Sequence, residues 1–305
     1  MDYLSTKRIL ITGAQGYIGS EILRIVREHY QECLAIDKLA DASGKVQILD
    51  LKDAVKTSEL ILNFKPDAII HCATHSALAY RDHLSNSFQE DFSATVNILN
   101  ALAGLPDCRL IYLSSSYVYS ALPARHAYDE HSPLAPKHNF GVAKSFFEQF
   151  ILKIHQNTVI FRLCSVFGPG QALHPNVILT FAEECLKKNS LTVWGKGERT
   201  LQYIYMKDVV SIILKSVSTK GGPASGGDLA AGIYNLGGDD YVTVGDTALD
   251  IAKFFKVEVN FLENKPEGET LPFLSNQKIK NSLKNNAFTP FATALNEYLT
   301  SLNKL

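Results

Sequence analysis

Three glycines spaced Gly13-x-x-Gly16-x-x-Gly19 stand between an apolar run, Arg8-Ile9-Leu10-Ile11-Thr12, and an amphipathic stretch over 17–28. No other feature of the chain narrows its fold so far. Glycines at this spacing allow a tight strand-to-helix turn, let the backbone approach an anionic group and aim a positive helix end at it. Alone, the pattern fits a structural turn as well as a pyrophosphate cradle. Its setting favours the cradle: a second strand, Cys33-Leu34-Ala35-Ile36-Asp37, ends in a carboxylate where an acid holds an adenosine ribose, about 20 residues on.

The alternation continues. Strands are predicted at Ala68-Ile69-Ile70-His71, Leu110-Ile111-Tyr112-Leu113 and Val159-Ile160-Phe161-Arg162, with helices over 52–64, 83–102 and 140–155. Strands separated by helices pair in parallel through right-handed crossovers, which predicts an α/β fold with a doubly wound parallel Rossmann sheet. After Gly168-Pro169-Gly170 the rhythm loosens. Helices over 175–188, 207–216 and 244–255 and near Gln277 and Thr293 are interspersed with strands at Leu191-Thr192-Val193, over 202–205, at Ile233-Tyr234-Asn235-Leu236 and near 257–261. A Gly/Ser segment spans 219–232. The expected division is a dinucleotide-binding domain over 1–167, joined again by 204–238, and a smaller mixed α/β substrate domain from 168–203 and 239–305.

Composition removes several classes of function. The 305 residues carry 30 basic and 31 acidic side chains, so the electrostatic footprint of a nucleic-acid binder is missing. No apolar run is long enough for a membrane span, and the start lacks a signal-peptide pattern. Five cysteines without metal spacing predict buried free thiols and a cytoplasmic protein. His71 and His75 lack a third ligand at useful spacing, so no metal is expected.

The glycine spacing, with several ordered motifs over nearly the whole chain, resembles the extended short-chain dehydrogenase/reductases, the nucleotide-sugar epimerase/dehydratase group. The motifs are Val46-Gln47-Ile48-Leu49-Asp50-Leu51, Pro66-Asp67-Ala68-Ile69-Ile70-His71-Cys72-Ala73, Thr95-Val96-Asn97, Leu113-Ser114-Ser115-Ser116-Tyr117-Val118-Tyr119, Arg162-Leu163-Cys164-Ser165-Val166-Phe167-Gly168-Pro169 and the segment from Gly195 to Val210. The resemblance implies NAD, held by Gly13, Gln15, Gly16, Tyr17, Ile18, Gly19, Asp37, Lys38, Asp50, Leu51, Cys72, Ala73, Thr74, Ser114 and Lys144. Asp37 would repel a 2′-phosphate and favour NAD over NADP, an exclusion that Lys38 next door weakens. It further implies a nucleotide-diphosphate sugar near Ser116, Tyr117, Ser165, Asn176 and Arg199, and a homodimer through the helices over 83–102 and 140–155. Phe146, Phe147, Phe150 and Ile151 would suit that interface, and burial within one chain explains them equally well.

One departure is chemical. The family places Tyr and Lys four apart after the serine strand, whereas Asn139-Phe140-Gly141-Val142-Ala143-Lys144 keeps the Lys and has Phe140 at the Tyr position. The implied catalytic set is therefore Ser115, Phe140 and Lys144, with no proton-carrying atom at the second. Two accounts compete. An introduced Tyr→Phe exchange is favoured by the retained Lys144 and Ser115; a natural replacement would give altered chemistry or a silent binder. The expected activity is an NAD-dependent 4-epimerase working through a 4-keto sugar, impaired by Phe140. A 4-keto-sugar reductase and a catalytically silent NAD-binding protein are the alternatives. Ser115-Ser116-Tyr117 lacks the Asp-Glu pair of sugar-nucleotide 4,6-dehydratases, which argues against dehydration.

Overall fold

A computed structural model describes residues 7–30, 32–40, 44–124, 126–170, 176–217, 229–284 and 287–303. The chain begins with β1 (Arg8–Thr12), α1 (Tyr17–His29), β2 (Glu32–Asp37), β3 (Gln47–Ile48), α2 (Ala54–Phe64), β4 (Ala68–His71), α3 (Ala77–Asp82), α4 (Leu84–Leu102) and β5 (Arg109–Ser115). A 3-10 turn (Ser116–Tyr119) leads to β6 (Ala127–Tyr128), α5 (Asn139–Ile154), β7 (Thr158–Leu163), β8 (Ser165–Phe167), α6 (Val177–Lys188), β9 (Leu191–Trp194), β10 (Thr200–Tyr205) and α7 (Met206–Lys215). Then follow β11 (Gly232–Leu236), β12 (Tyr241–Thr243), α8 (Val244–Phe255), β13 (Val259–Leu262), β14 (Phe273–Leu274), α9 (Gln277–Ser282) and α10 (Phe291–Leu302).

Seven strands form the central sheet in the order β11-β7-β5-β4-β1-β2-β3, every neighbouring pair parallel. Its middle strands carry apolar side chains on both faces because helices cover both, and β4 and β7 are buried at every residue. Successive side chains take opposite faces. Ile9, Ile11, Ile70, Ile111 and Phe161 join the core under α1 and α7, whereas Leu10, Ile69, Leu110 and Ile160 join the one under α4 and α5. The doubly wound Rossmann-type architecture follows from this two-sided burial.

The remaining strands form three small sheets, β12-β10-β8, β13-β9 and β14-β6. A third core, including Phe167, Phe181, Val193, Tyr203, Ile251 and Leu295, packs α6, α8 and α10 on the first two of them, while Leu274 of β14 packs with Val118 and Tyr119. Because β8 and β10 continue directly from β7 and into α7, this core is joined to the central sheet along the C-terminal ends of its strands.

Differences from the sequence reading concern element ends. The helix predicted from 52 starts at Ala54, since Asp53 caps it by accepting from Lys56 N. The one predicted from 175 starts at Val177 after the Asn176 cap. The strand expected near 257–261 lies at Val259–Leu262, displaced because Lys256 closes α8 in a left-handed conformation (φ 58°). The strands β3, β6, β12 and β14 have two or three residues, too short to show a period. Most of the Gly/Ser segment lies outside the described residues. All five cysteines are free thiols, Cys108 and Cys185 buried and three half-buried. Among the described residues no helix is long and apolar enough to cross a membrane, and no group of acidic, His and Cys residues suits a metal.

Candidate active site

The glycine loop follows β1 at the sheet's C-terminal edge. Gly13 has φ +66°, and a Cβ there would lie 2.6 Å from Ala73 N, while one on Gly19 would lie 2.1 Å from Gly13 O. Both positions therefore exclude any side chain, so the loop threads closely between α1 and the end of β4. Gly16 is the N-cap of α1 and offers no capping side chain; no acidic residue stands in the first turn. The positive helix end is left for an anion. Tyr17 ties this loop to the β8 end by donating to Gly168 O at 3.0 Å, and burial raises its phenol pKa.

Asp37 is stitched to the loop. Oδ2 accepts from Gln15 N and Oδ1 from Leu39 N, both at 3.0 Å, and Gln15 Nε2 donates to Leu39 O at 2.7 Å. Each carboxylate oxygen keeps a second lone pair for a ribose hydroxyl. Beside it, Lys38 turns away to Glu90 on α4, at 3.2 Å, and Glu90 also accepts from Lys52 at 3.0 Å. Asp50 lies exposed with Oδ1 on Lys52 N, and Leu51 is buried with its carbonyl accepting from Asn97 Nδ2 at 2.8 Å.

The reacting end is built around Lys144, which is 3% exposed. Nζ donates to Thr74 Oγ1 (3.0 Å), Tyr112 Oη (3.2 Å) and Leu113 O (2.8 Å), which uses all three of its protons. A ribose hydroxyl would replace one of these acceptors. Burial drives the Lys144 pKa down to about 8, opposed by the Asp91 and Glu148 carboxylates. The charged form thus costs the folded state below about pH 8, and that cost is relieved as pH rises from there toward the ordinary value of 10.5. Cys72, beside Ala73 and Thr74, has its thiol pushed up to about 12 by burial, so it stays protonated.

Phe140, one turn before Lys144, packs its ring between Tyr80 (centroids 5.7 Å apart) and Tyr117 (5.6 Å, edge-on), with Lys144 Nζ 5.4 Å from its own centroid. That distance permits a cation–π contact. Ser115 caps the 3-10 turn, its Oγ accepting from Tyr117 N at 3.3 Å. Alternation along β5 sends Ser114 the other way, where its hydroxyl donates to Glu148; that carboxylate also pairs with the buried Arg162. Ser114, proposed for the cofactor, thus hydrogen-bonds within the fold. Ser116 is buried in the 3-10 turn, while Tyr117 is half-buried with its ring between Phe140 and His138.

The other substrate candidates divide. Asn176 donates to Ser165 Oγ (3.2 Å) and Val166 O (2.7 Å) while its own oxygen caps α6, so these two residues hold each other. Arg199 differs. Its Nε is buried without a partner among the described residues, and its guanidinium lies so close to Gly268 that a Cβ there would meet Nη1 at 2.6 Å. Leu201, two residues on and in β10, is buried in the third core. Trp194, at the end of β9, is 60% exposed.

The sequence reading missed a carboxylate. Asp91, 2% exposed on α4, accepts from His75 N and from Tyr80 Oη (2.9 Å) and pairs with His75 Nδ1 at 2.7 Å. The only signal for it was an acid on the buried helix face that also carries Ala94, Ile98 and Leu99, flanked there by Ser87 and Thr95.

The profile of the NAD dependent epimerase/dehydratase family matches residues 9–237, three quarters of the chain. The chain belongs to that family. Its residues fit NAD: two glycine positions closed to side chains, an uncapped helix end for the pyrophosphate and a carboxylate at the end of β2. A trifunctional UDP-glucose 4,6-dehydratase/UDP-4-keto-6-deoxy-D-glucose 3,5-epimerase/UDP-4-keto-L-rhamnose-reductase from Arabidopsis thaliana is 26% identical over 90% of this chain, which spans only 44% of that protein. The methionine adenosyltransferase 2 subunit beta of Xenopus tropicalis is also 26% identical, over 87% of this chain and 78% of its own. Among solved structures, a Thermotoga maritima UDP-glucose 4-epimerase with UDP-glucose superposes with a TM-score of 0.85 at 18% identity, covering 97% of this chain and 99% of that one. The likeness to that epimerase is one of fold.

Proposed function

We propose that this protein binds a nucleotide-diphosphate sugar and is built for 4-epimerisation through a 4-keto sugar, with the proton-carrying position filled by Phe140. The observation that carries this reading is the buried Lys144 ammonium one turn beyond position 140, beside Thr74 and the Phe140 ring. NAD, which the Gly13–Gly19 loop and Asp37 would hold, would supply a reversible hydride acceptor. Ser115 holds the reacting sugar oxygen by its hydroxyl. Lys144 orients the cofactor ribose and, as a cation, lowers the pKa of a phenol at 140. Arg199, whose buried Nε has no partner among the described residues, would take the substrate diphosphate. Ser116 and Tyr117 bring no carboxylic acid, which disfavours dehydration. Mixing the purified protein with NAD and candidate nucleotide sugars, with and without the Phe140→Tyr change, tests the reading. Sugar-nucleotide binding that needs no phenol supports it; absence of binding in both forms overturns it.

Phe140 itself favours a second reading, a silent NAD-binding protein. A relative of equal identity carries a subunit's name with no sugar nucleotide in it. A 4-keto-sugar reductase is disfavoured by Asp37, which opposes the 2′-phosphate of NADP. NAD is expected to bind at least roughly tenfold more tightly than NADP, because the carboxylate would face a phosphate dianion. Titration calorimetry checks this, and equal affinities would remove Asp37 from the ribose.

A homodimer through α4 and α5 completes the proposal. Phe147 and Ile151, first grouped with the interface, are fully buried in the core of one chain and are removed from it. The face left outside carries Leu84, Phe92, Val142, Phe146 and Ile154, each at least 36% exposed, with Phe92, Phe146 and Phe150 packed ring to ring. Apolar exposure of this kind marks an interface. Phe146→Glu is expected to yield a folded monomer by sedimentation velocity where the unmodified protein is a dimer.

A further inference from the structure

We propose that Glu90 enforces the preference for NAD by holding Lys38 away from the ribose pocket of Asp37, an inference that rests on the reading of Asp37 as the ribose ligand. Lys38 follows Asp37 directly, so it is the cation placed to receive a 2′-phosphate, as a basic residue near this acid does in NADP sites. Left free, it would offset the repulsion between Asp37 and that phosphate. In the structure its ammonium is engaged instead at Glu90 Oε2, 3.2 Å away.

Glu90 is itself fixed. Its side chain is 20% exposed, Oε1 accepts from Lys52 at 3.0 Å, and His75 Nε2 lies 3.5 Å from Oε2. Hydrogen bonds from Lys52 and then Lys38 hold its carboxyl down at about 2, so it is ionised at every working pH. The helix that carries it is anchored to the neighbouring loop by Asn97 Nδ2, which donates to both Leu51 O and Lys52 O. A carboxylate with partners from three segments cannot follow Lys38 toward a ligand, so a 2′-phosphate must break the pair to recruit the lysine. NAD, with ribose hydroxyls that Asp37 accepts directly, needs no such exchange.

The test is calorimetric titration of the intact chain with NAD and NADP, for the unmodified protein, Glu90→Gln, Lys38→Ala and the double variant. Glu90→Gln is expected to tighten NADP binding by roughly threefold to fivefold, the scale of one partly exposed ion pair. NAD affinity should change less than twofold, and adding Lys38→Ala should cancel the gain. NADP affinity unaltered by Glu90→Gln, in a protein that still prefers NAD, overturns this inference and leaves Asp37 in place. A gain that survives Lys38→Ala also overturns it, since loss of one negative charge then explains the effect. Equal NAD and NADP affinities in the unmodified chain defeat the Asp37 reading and this inference together.

Discussion

Changing Phe140 to tyrosine is expected to raise turnover on a nucleotide-diphosphate sugar by roughly 10²–10⁴-fold, the contribution of a positioned acid–base group. The ring already sits between Tyr80 and Tyr117 with the Lys144 ammonium 5.4 Å from its centre, so the substitution adds one oxygen without a change of scaffold. NAD and sugar-nucleotide affinities should stay within about twofold, because the phenol acts mainly in the transition state. The restored activity should rise with pH as the phenol ionises and fall on an alkaline limb near pH 8, where Lys144 gives up its proton. The two groups interact, so the limbs belong to the pair. Steady-state conversion of one nucleotide sugar into its epimer, followed by chromatography across pH, checks both claims. No gain on any nucleotide sugar would identify a protein that binds without reacting. Full activity of the unmodified chain would require another proton carrier. Tyr117 is then the first residue to replace, because Tyr119 is buried and its hydroxyl is engaged with Asp129 O and Arg162.

Ser115→Ala in the Phe140→Tyr background should lower kcat by roughly 10²–10³-fold, the usual cost of losing one hydrogen-bond donor to a reacting oxygen. Ser114→Ala should behave differently. Its hydroxyl donates to Glu148, buried at 1% exposure and paired with Arg162, so its loss should lower stability by about 1–3 kcal/mol and leave kcat nearly intact. Thermal denaturation and steady-state kinetics on the two variants separate the roles. The reverse order would place the reacting oxygen on the other face of β5, since a shift of one residue exchanges the faces.

Nearest-neighbour physics made part of this site visible before any coordinates. A strand, a glycine turn and a helix follow one another between Arg8 and His29, so the loop and its positive helix end are local properties of the sequence. The four-residue interval from Phe140 to Lys144 is one helical turn, and helix geometry alone puts both on one face. The parallel sheet followed from helices lying between successive apolar strands. These signals depend on short separations along the chain, where periodicity and steric rules hold without knowledge of the rest.

The tertiary structure decided whatever depends on which distant segments meet. The strand order β5-β4-β1-β2 brings the end of β4, with His75 beyond it, against Asp91 on α4, sixteen residues later. The same packing carries Glu90 to Lys38, fifty-two residues away, a pairing that no local pattern encodes. Ser165 and Asn176 were legible as polar residues near a substrate, but only the fold shows that they hydrogen-bond each other. Phe147 and Phe146 are adjacent and chemically identical, yet one is wholly buried and the other 39% exposed because α5 presents only one face to the sheet. Spacing along the chain thus determined the fold class, and the resemblance of its motifs implied the family and the tyrosine position that Phe140 occupies. The partners of each charged side chain were set by long-range contacts, whose geometry exists only once the sheet has assembled.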